Sequence, residues 1–298
     1  MAGFTMLSAQ RHVALLDAPS RKINSVRSEA NGQQLYQFTL DRGMIYLEAD
    51  LEGARGEYVL DTGAPGLVLN EQPERVHEAY VAQSCAEEVK VGMRQVEHFS
   101  LGELELRQFE AITLDLDHLS RAHNKEVAGL IGYEILQEHT LLLDYQEQQM
   151  HLLDYSVNDA VHQPTVRIPF ILDGHLPVLE IKVGQHTLHL GIDTGSASNI
   201  LDESWQNVLA LWGPSMPTEE IQGLDQRVQQ VDATMVEDFP VGHLGLDTKF
   251  LLLDLSHLRA GAEVPLDGLL GYSFLANFKV AIDYPNQEVL LWPVDLEQ

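Results

Sequence analysis

The residues in this chain whose types could do chemistry as a pair are two aspartates. Asp61 and Asp193 each begin the triplet Asp-Thr-Gly, and each follows an apolar run. Two carboxyl groups about 3 Å apart cannot both ionise easily, so one of them keeps its proton. Such a pair holds a general base and a general acid at once, which hydrolysis by an activated water needs. The pair titrates as a unit, and the sequence does not assign the proton to either residue.

The sequence around the two triplets is also repeated, which indicates an internal duplication. The aspartates lie 132 positions apart. Gly92 corresponds to Gly223 at an offset of 131, which places the extra residues of the second copy after these glycines. Four later segments correspond at an offset of 139 or 140: Phe99–Leu106 with Phe239–Leu246, Asp115–Leu119 with Asp254–Leu258, Gly129–Tyr133 with Gly268–Tyr272, and Leu143–Tyr145 with Ile282–Tyr284.

The elements that must position the aspartates are short strands. Stretches such as Tyr36–Leu40 and Val178–Val183 alternate apolar and polar residues, which is typical of half-buried strands. Helix is predicted only in short pieces, at Tyr133–His139, Ser204–Leu211 and Tyr272–Asn277. We therefore expect an all-β (mainly β) fold with two similar lobes and a cleft between them. The expected divisions are an N-terminal arm at 1–33, a first lobe at 34–157 and a second lobe at 164–298.

These motifs resemble those of aspartic peptidases of the retropepsin/pepsin type, and most closely those of bacterial single-chain retropepsin-like proteins. Three features carry the resemblance, and each occurs twice in the same order over residues 35–298: Asp-Thr-Gly, a later hairpin that contains glycine, and an apolar pair followed by glycine at Gly132 and Gly271. The resemblance implies the acid-protease fold. It also implies an aspartic endopeptidase, a hydrolase whose catalytic residues are Asp61 and Asp193.

The resemblance further implies supporting roles for the residues around the dyad. The hydroxyls of Thr62 and Thr194 should hydrogen-bond to the backbone of the opposite loop. Gly63 and Gly195 should let a backbone N–H approach each carboxylate. Gly132 and Gly271 should let the chain cross close to the aspartate loops, where a Cβ would clash.

One difference between the copies predicts unequal aspartates. Ser196 follows the second triplet and can donate a hydrogen bond to Asp193, whereas Ala64 cannot do this for Asp61. A carboxylate that lacks a donor is less stabilised, so its pKa is higher. We therefore expect a pH optimum less acidic than that of an enzyme with hydroxyl residues at both places.

The substrate-covering flaps are predicted about 30 residues after each aspartate, where the family resemblance places them. The candidates are Gly92 with Met93 and Gly223 with Leu224. Neither segment has the tyrosine of a pepsin-like flap, so two retropepsin-like flaps fit better than one. The alternative is that both segments are ordinary surface hairpins.

Composition excludes several classes of partner and cofactor. The 45 acidic residues outnumber the 18 basic ones, and a net charge of −27 argues against binding to nucleic acid or to anionic membranes. Cys85 is the single cysteine, so no disulfide within the chain is possible. His186 and His189 would point to opposite faces of a strand, so we expect no metal site there and no cofactor.

Several alternatives stay open at the level of sequence. The basic residues of the arm are compatible with a solvated segment, with docking on the acidic body or the cleft, or with a disrupted targeting segment.

The expected partner is a peptide or protein substrate, and the alternative is a catalytically silent protein that binds a peptide or ligand. We expect a monomer with an intrachain dyad and no membrane span, although each half could instead pair with a half of another chain. The first ten residues lack the features of a signal peptide, and the sequence assigns no compartment, whether cytoplasmic, periplasmic or secreted.

Overall fold

The computed structural model describes residues 6–7, 24–26, 33–72, 79–83, 88–154, 163–209, 215–222, 228–256 and 264–294. Strands make up most of this part of the chain, so the predicted all-β class is confirmed. The strands up to residue 154 are β1 (Met6–Leu7), β2 (Asn24–Val26), β3 (Gln33–Gln37), β4 (Thr39–Asp41), β5 (Met44–Leu51), β6 (Ala54–Leu60), β7 (Leu67–Asn70), β8 (Ala79–Gln83), β9 (Glu88–Leu101), β10 (Leu104–Leu114), β11 (Gly129–Ile131), β12 (Thr140–Asp144) and β13 (Gln149–Leu153). The strands after it are β14 (Val166–Asp173), β15 (Leu176–Val183), β16 (His186–Ile192), β17 (Ile200–Asp202), β18 (Ser215–Gln222), β19 (Val228–Val241), β20 (Leu244–Leu253), β21 (Gly268–Leu270), β22 (Phe278–Asp283) and β23 (Glu288–Pro293).

Helices are few and short in the described ranges. They are Asp117–His123, Tyr133–Leu136, Gln206–Leu209 and Tyr272–Leu275, with a 3₁₀ helix at Glu203–Trp205. The two predicted helices that follow Gly132 and Gly271 begin where expected and end earlier. The predicted helix Ser204–Leu211 is split between the 3₁₀ helix and the helix after it. None of the helices in these ranges is long and apolar enough to cross a membrane.

Each half of the chain builds the same motif around its aspartate strand. In the first half β6 pairs antiparallel with β5 and parallel with β11, with Leu60 opposite Ile131. In the second half β16 pairs antiparallel with β15 and parallel with β21, with Ile192 opposite Leu270. All four of these residues are buried, which explains the apolar runs before the triplets.

Backbone pairing joins the two halves. Strand β12 pairs antiparallel with β22, and Leu142 lies opposite Ala281. The strand order there is β3-β13-β12-β22-β23-β14, so three strands from each half lie side by side in one sheet. One core cluster contains buried residues of both halves, Leu143 and Val280 among them. This continuous sheet and core fix the position of one half relative to the other. A dyad with one aspartate from each half requires such a fixed arrangement.

Two pieces of the predicted N-terminal arm are strands. Strand β1 pairs in parallel with the end of β18, and β2 pairs antiparallel with the start of β10. The arm therefore contacts a strand of the second half and a strand of the first. Apart from Gln33, which begins β3, the remainder of the arm lies outside the described residues.

The structure corrects the predicted alignment of the two halves. Strand β8 forms a hairpin with β9, and β18 forms the corresponding hairpin with β19. Their connections are residues 84–87 and 223–227, so Gly223 corresponds to the first connection and not to Gly92. The extra residues of the second half lie before its hairpin, between β17 and β18, where the 3₁₀ helix Glu203–Trp205 begins. The prediction was wrong because it matched single glycines, whereas strand pairing sets the register.

Candidate active site

The two aspartates occupy corresponding positions at the ends of parallel strand pairs. Asp61 follows β6, and its amide donates to the Ile131 carbonyl at 2.9 Å. Asp193 follows β16, and its amide donates to the Leu270 carbonyl at 3.1 Å. The structure thus places both predicted residues where the sheet stops and the chain turns.

The two carboxyl groups meet. They are hydrogen-bonded to each other, and their residues are almost fully buried, with 4% of Asp61 and 0% of Asp193 exposed. The Gly63 amide donates to Asp61 Oδ1 at 2.9 Å, and the Gly195 amide donates to Asp193 Oδ1 at 2.8 Å. These two bonds confirm the predicted placement of both glycine amides.

Burial dominates the electrostatics of the pair. It raises the pKa of Asp193 to about 7, while the Gly195 amide and the hydrogen bond from Asp61 oppose that rise. The physical cause is the cost of placing a negative charge where water is excluded. The two carboxyl groups titrate as a pair. Below about pH 7 the pair therefore holds a proton.

Two threonines bind the aspartate loops to each other, as predicted. The Thr62 hydroxyl donates to the Ile192 carbonyl at 2.9 Å and accepts the Thr194 amide at 3.0 Å. The Thr194 hydroxyl donates to the Leu60 carbonyl at 2.9 Å and accepts the Thr62 amide at 3.0 Å. Both side chains are buried. Four reciprocal bonds thus hold the loops in a two-fold arrangement, with each hydroxyl used as donor and acceptor.

Gly132 and Gly271 lie against the aspartate loops. A Cβ on Gly132 would stand 2.3 Å from the Ala64 carbonyl oxygen, and a Cβ on Gly271 would stand 2.5 Å from that of Ser196. The next residue in each half, Tyr133 or Tyr272, donates its amide to that same carbonyl oxygen. The close approach that the sequence predicted is therefore present on both sides.

The predicted role of Ser196 is wrong. Its hydroxyl donates to the Ser198 carbonyl at 2.7 Å, and not to Asp193. The carbonyl two residues along its own loop lies within easy reach, and this bond fixes the direction of the hydroxyl. The contrast between Ala64 and Ser196 therefore does not give the two carboxyl groups different numbers of donors.

The flap candidates are partly outside the described residues. Gly223 and Leu224 fall in the connection 223–227, of which nothing is described. Gly92 lies inside β9 opposite Ala79, and Met93 follows it in the same strand. Both are therefore strand residues of the hairpin, away from its connection at 84–87.

His175 is a further residue at the site, and the sequence motifs did not predict it. This half-buried residue lies in the turn between β14 and β15, and its Nε2 is 2.7 Å from the carbonyl oxygen of Gly63. The second half thereby contacts the aspartate loop of the first half through a side chain. The signal in the sequence was the difference between two corresponding turns. The first reads Asp-Arg-Gly from Asp41, and the second reads Asp-Gly-His from Asp173.

Two buried tyrosines also lie near the dyad, and each is affected by the aspartate of the other half. Burial raises the pKa of Tyr145, with smaller contributions from Tyr272 and from Asp193 of the other half. Burial likewise raises the pKa of Tyr284, with smaller contributions from Tyr133 and from the Asp61 of the first half. The rings of Tyr133 and Tyr284 pack edge to face at 5.6 Å, and those of Tyr145 and Tyr272 at 5.5 Å. Both ring contacts join a tyrosine of the first half to a tyrosine of the second.

The two histidines of the predicted strand have separate surroundings. His186 packs against Trp205, whereas His189 contacts Asp267 and Glu180. Within the described ranges, no group of three or more histidine, cysteine, aspartate or glutamate residues is placed to hold a metal ion.

No protein-family model matches this chain, and a search of curated proteins finds no match. A buried carboxyl pair that retains one proton can take a proton from a water and give one to a substrate oxygen or nitrogen.

Proposed function

We propose that the chain is an aspartic endopeptidase in which the Asp61/Asp193 dyad activates a water to hydrolyse peptide bonds. The observation that carries the proposal is the buried, mutually hydrogen-bonded carboxyl pair, with one aspartate from each half of a duplicated chain. The threonine bonds and the glycine amides support it, because they fix both carboxyl groups before any substrate arrives. A buried carboxyl pair with only a structural role would not need all of these hydrogen bonds.

The reaction follows from the protonation state of the pair. The ionised carboxylate takes a proton from the water, whose oxygen forms a bond to the carbonyl carbon of the scissile peptide. The protonated carboxyl group gives its proton to the carbonyl oxygen, which yields a tetrahedral diol. The carboxyl group that took the proton of the water then gives it to the peptide nitrogen, while the other carboxylate takes a proton from one hydroxyl of the diol. The C–N bond breaks, a carboxylic acid and an amine leave, and the pair again holds one proton. Neither aspartate forms a covalent bond to the substrate.

The proposed substrate is an extended peptide or protein segment bound between the halves. An extended segment can pair with the protein backbone as an added strand, with side-chain pockets providing specificity. One chain supplies both aspartates, and the threonine bonds that join the loops lie within that chain. The active species should therefore be a monomer, and size-exclusion chromatography with activity assays on the fractions tests this.

Substitution of each aspartate tests the function. We expect Asp61→Asn and Asp193→Asn each to lower kcat by about 10³-fold or more, because general acid–base transfer contributes on this scale. A peptide-based transition-state mimic such as pepstatin should inhibit the wild-type protein. Asp232→Asn is the matched control, since this exposed aspartate only accepts a hydrogen bond from Gln206 and should retain full activity. Undiminished cleavage by both dyad variants would refute the proposal.

One observation favours a second candidate, a silent protein that binds peptides in the same place. Asp193 has no exposed surface, whereas a catalytic carboxyl group must reach a water and a substrate. This candidate predicts that the wild type and both asparagine variants bind peptides from a library equally well. It also predicts that the wild type cleaves none of them between about pH 3 and 8. Cleavage that is lost in the variants excludes it.

A further inference from the structure

We propose that His175 is a positioning residue that holds Gly63, and through it the Asp61 carboxyl group, from the opposite half of the chain. The proposal deepens the peptidase function proposed above and rests on it for its catalytic consequence. It assigns His175 no contact with substrate or with the reacting atoms.

The contact is a short chain of two hydrogen bonds. His175 Nε2 lies 2.7 Å from the Gly63 carbonyl oxygen, and the Gly63 amide lies 2.9 Å from Asp61 Oδ1. Because a carbonyl oxygen only accepts, Nε2 must carry the hydrogen. It does so in the imidazolium form and in one neutral tautomer, so the contact does not require a charged histidine. Gly63 is thereby held on both sides, by the carboxylate at its amide and by the imidazole at its carbonyl.

In the first half, the position that corresponds to His175 has no side chain, and Arg42 beside it donates to the Ala122 carbonyl instead. Strand β4 ends at Asp41 and β14 ends at Asp173, at the same offset of 132 as the two aspartates of the dyad. The residue that corresponds to His175 is therefore Gly43. A Cβ on Gly43 would stand 2.9 to 3.1 Å from atoms of Tyr272, so this position accepts only glycine without rearrangement.

Turn chemistry explains how the two halves came to differ here. Arg42 and Gly43 both have positive φ, at 49° and 85°, which is the pattern of a type I′ hairpin turn. In the second half the glycine comes first, and Gly174 has the positive φ of 61°. A turn with glycine at its first central position leaves the second position open to an ordinary residue. That position is His175, and its side chain reaches across to the other half.

The two turns therefore contribute unequally to holding the aspartate loops. The amides of Gly63 and Gly195 hold their carboxylates at nearly equal distances. Of the two corresponding turns, only the one in the second half adds a side-chain hydrogen bond, which runs from His175 to the Gly63 carbonyl. Loss of that contact should let the Gly63 peptide rotate and should leave Asp61 less well oriented for proton transfer, which lowers kcat more than it weakens substrate binding.

His175→Gly, which copies the turn residue of the first half, is the test variant. His243→Gly is the matched control, because Gly242 and His243 form the same glycine-histidine turn between β19 and β20, with φ 64° at Gly242. We expect His175→Gly to lower kcat about tenfold with KM changed less than about twofold, since one hydrogen bond is worth roughly that factor. His243→Gly should match the wild type. His175→Gln, which keeps an N–H donor of similar reach, should recover most of the loss.

The kinetic result can overturn the proposal in three ways. A rise in KM with unchanged kcat would make His175 a substrate contact. Equal losses in His175→Gln and His175→Gly would remove the hydrogen bond from the explanation. Unchanged kinetics in His175→Gly would remove any role in positioning.

Amide hydrogen exchange gives a readout that does not depend on peptidase activity. In His175→Gly the Gly63 amide should exchange about tenfold faster, while the Gly195 amide should be unchanged. Equal changes at both glycines, or no change at Gly63, would contradict the proposal even in a protein that cleaves nothing. Full activity in the two dyad variants would instead refute the peptidase function and leave the exchange result to decide the role of His175.

Discussion

The loops of Asp61 and Asp193 have closely matching backbone hydrogen bonds, whereas the side chains around them differ. Each aspartate amide, glycine amide and threonine makes the same bond on both sides. The differences are Ala64 against Ser196 and Gly43 against His175, and neither member of the first pair bonds to a carboxyl group by its side chain. The hydrogen bonds that hold the carboxyl pair are therefore the same in both halves, whereas the side chains next to these bonds differ.

A second difference lies near the starts of β6 and β16, the ends of these strands that are away from the aspartates. In the first half, a cavity of about 640 Å³ is lined by residues of β6, β7 and the helix Asp117–His123, and Asp61 is not among them. Two of its lining residues, Ala54 and Ala128, correspond to His186 and Asp267 in the second half. There, Trp205 donates its Nε1 to Asp267 at 3.0 Å and packs against His186. In the described part of the second half, a tryptophan thus contacts the two residues whose counterparts line the cavity of the first half.

The largest expected effect concerns the proton of the pair and its influence on stability. The pKa of Asp193 is raised in the folded protein, so the folded state binds more protons than the unfolded state between about pH 4 and 7. The free energy of unfolding contributed by this group is therefore greatest at low pH and is lost as the pH rises through about 7. The limit is about 4 kcal/mol, from a shift of roughly three pH units.

Urea unfolding of the wild type and of Asp193→Asn at several pH values measures this effect. The difference in unfolding free energy between them should change by up to about 4 kcal/mol from pH 4 to 7, in the direction of a less stable wild type at pH 7. Asp232→Asn serves as the control and should follow the wild type. Parallel curves for the wild type and Asp193→Asn would show that burial does not raise the pKa of this carboxyl group.

The next effect concerns the close approach of Gly132 and Gly271 to the aspartate loops. We expect Gly132→Ala and Gly271→Ala each to lower the free energy of unfolding by about 3 kcal/mol, because a Cβ would overlap backbone oxygens that cannot move away. Gly53→Ala is the control, since a Cβ there meets nothing within 4 Å and only the positive φ of 88° is unfavourable. It should cost about 1 kcal/mol. A half that tolerates alanine would break the equivalence of the two loops.

The sequence predicted those features of the site that depend on local pattern or on the duplication itself. Alternation predicted the strands, and the repeated triplets predicted the meeting of Asp61 and Asp193. His175 could not be predicted in this way, because its contact depends on how a turn of one half meets a loop of the other. The partner of Ser196 was missed because a hydroxyl bonds to whichever acceptor the folded loop brings nearest, and sequence does not fix that geometry. Gly92 was misplaced because a strand glycine and a turn glycine look alike in a sequence.

The smallest effect concerns Ala64 and Ser196, whose contrast the structure removes from the electrostatics of the dyad. Ser196→Ala deletes one buried hydrogen bond to the Ser198 carbonyl and should lower the free energy of unfolding by about 1 kcal/mol. By the same geometry, the hydroxyl of Ala64→Ser should meet the Gly66 carbonyl, the counterpart of the Ser198 carbonyl. Neither substitution should move the acid limb of the pH–rate profile, because neither hydroxyl bonds to a carboxyl group. A downward shift of about half a pH unit in Ala64→Ser would show that this hydroxyl does reach Asp61, and that the hydroxyls of the two loops can have different electrostatic effects on the pair.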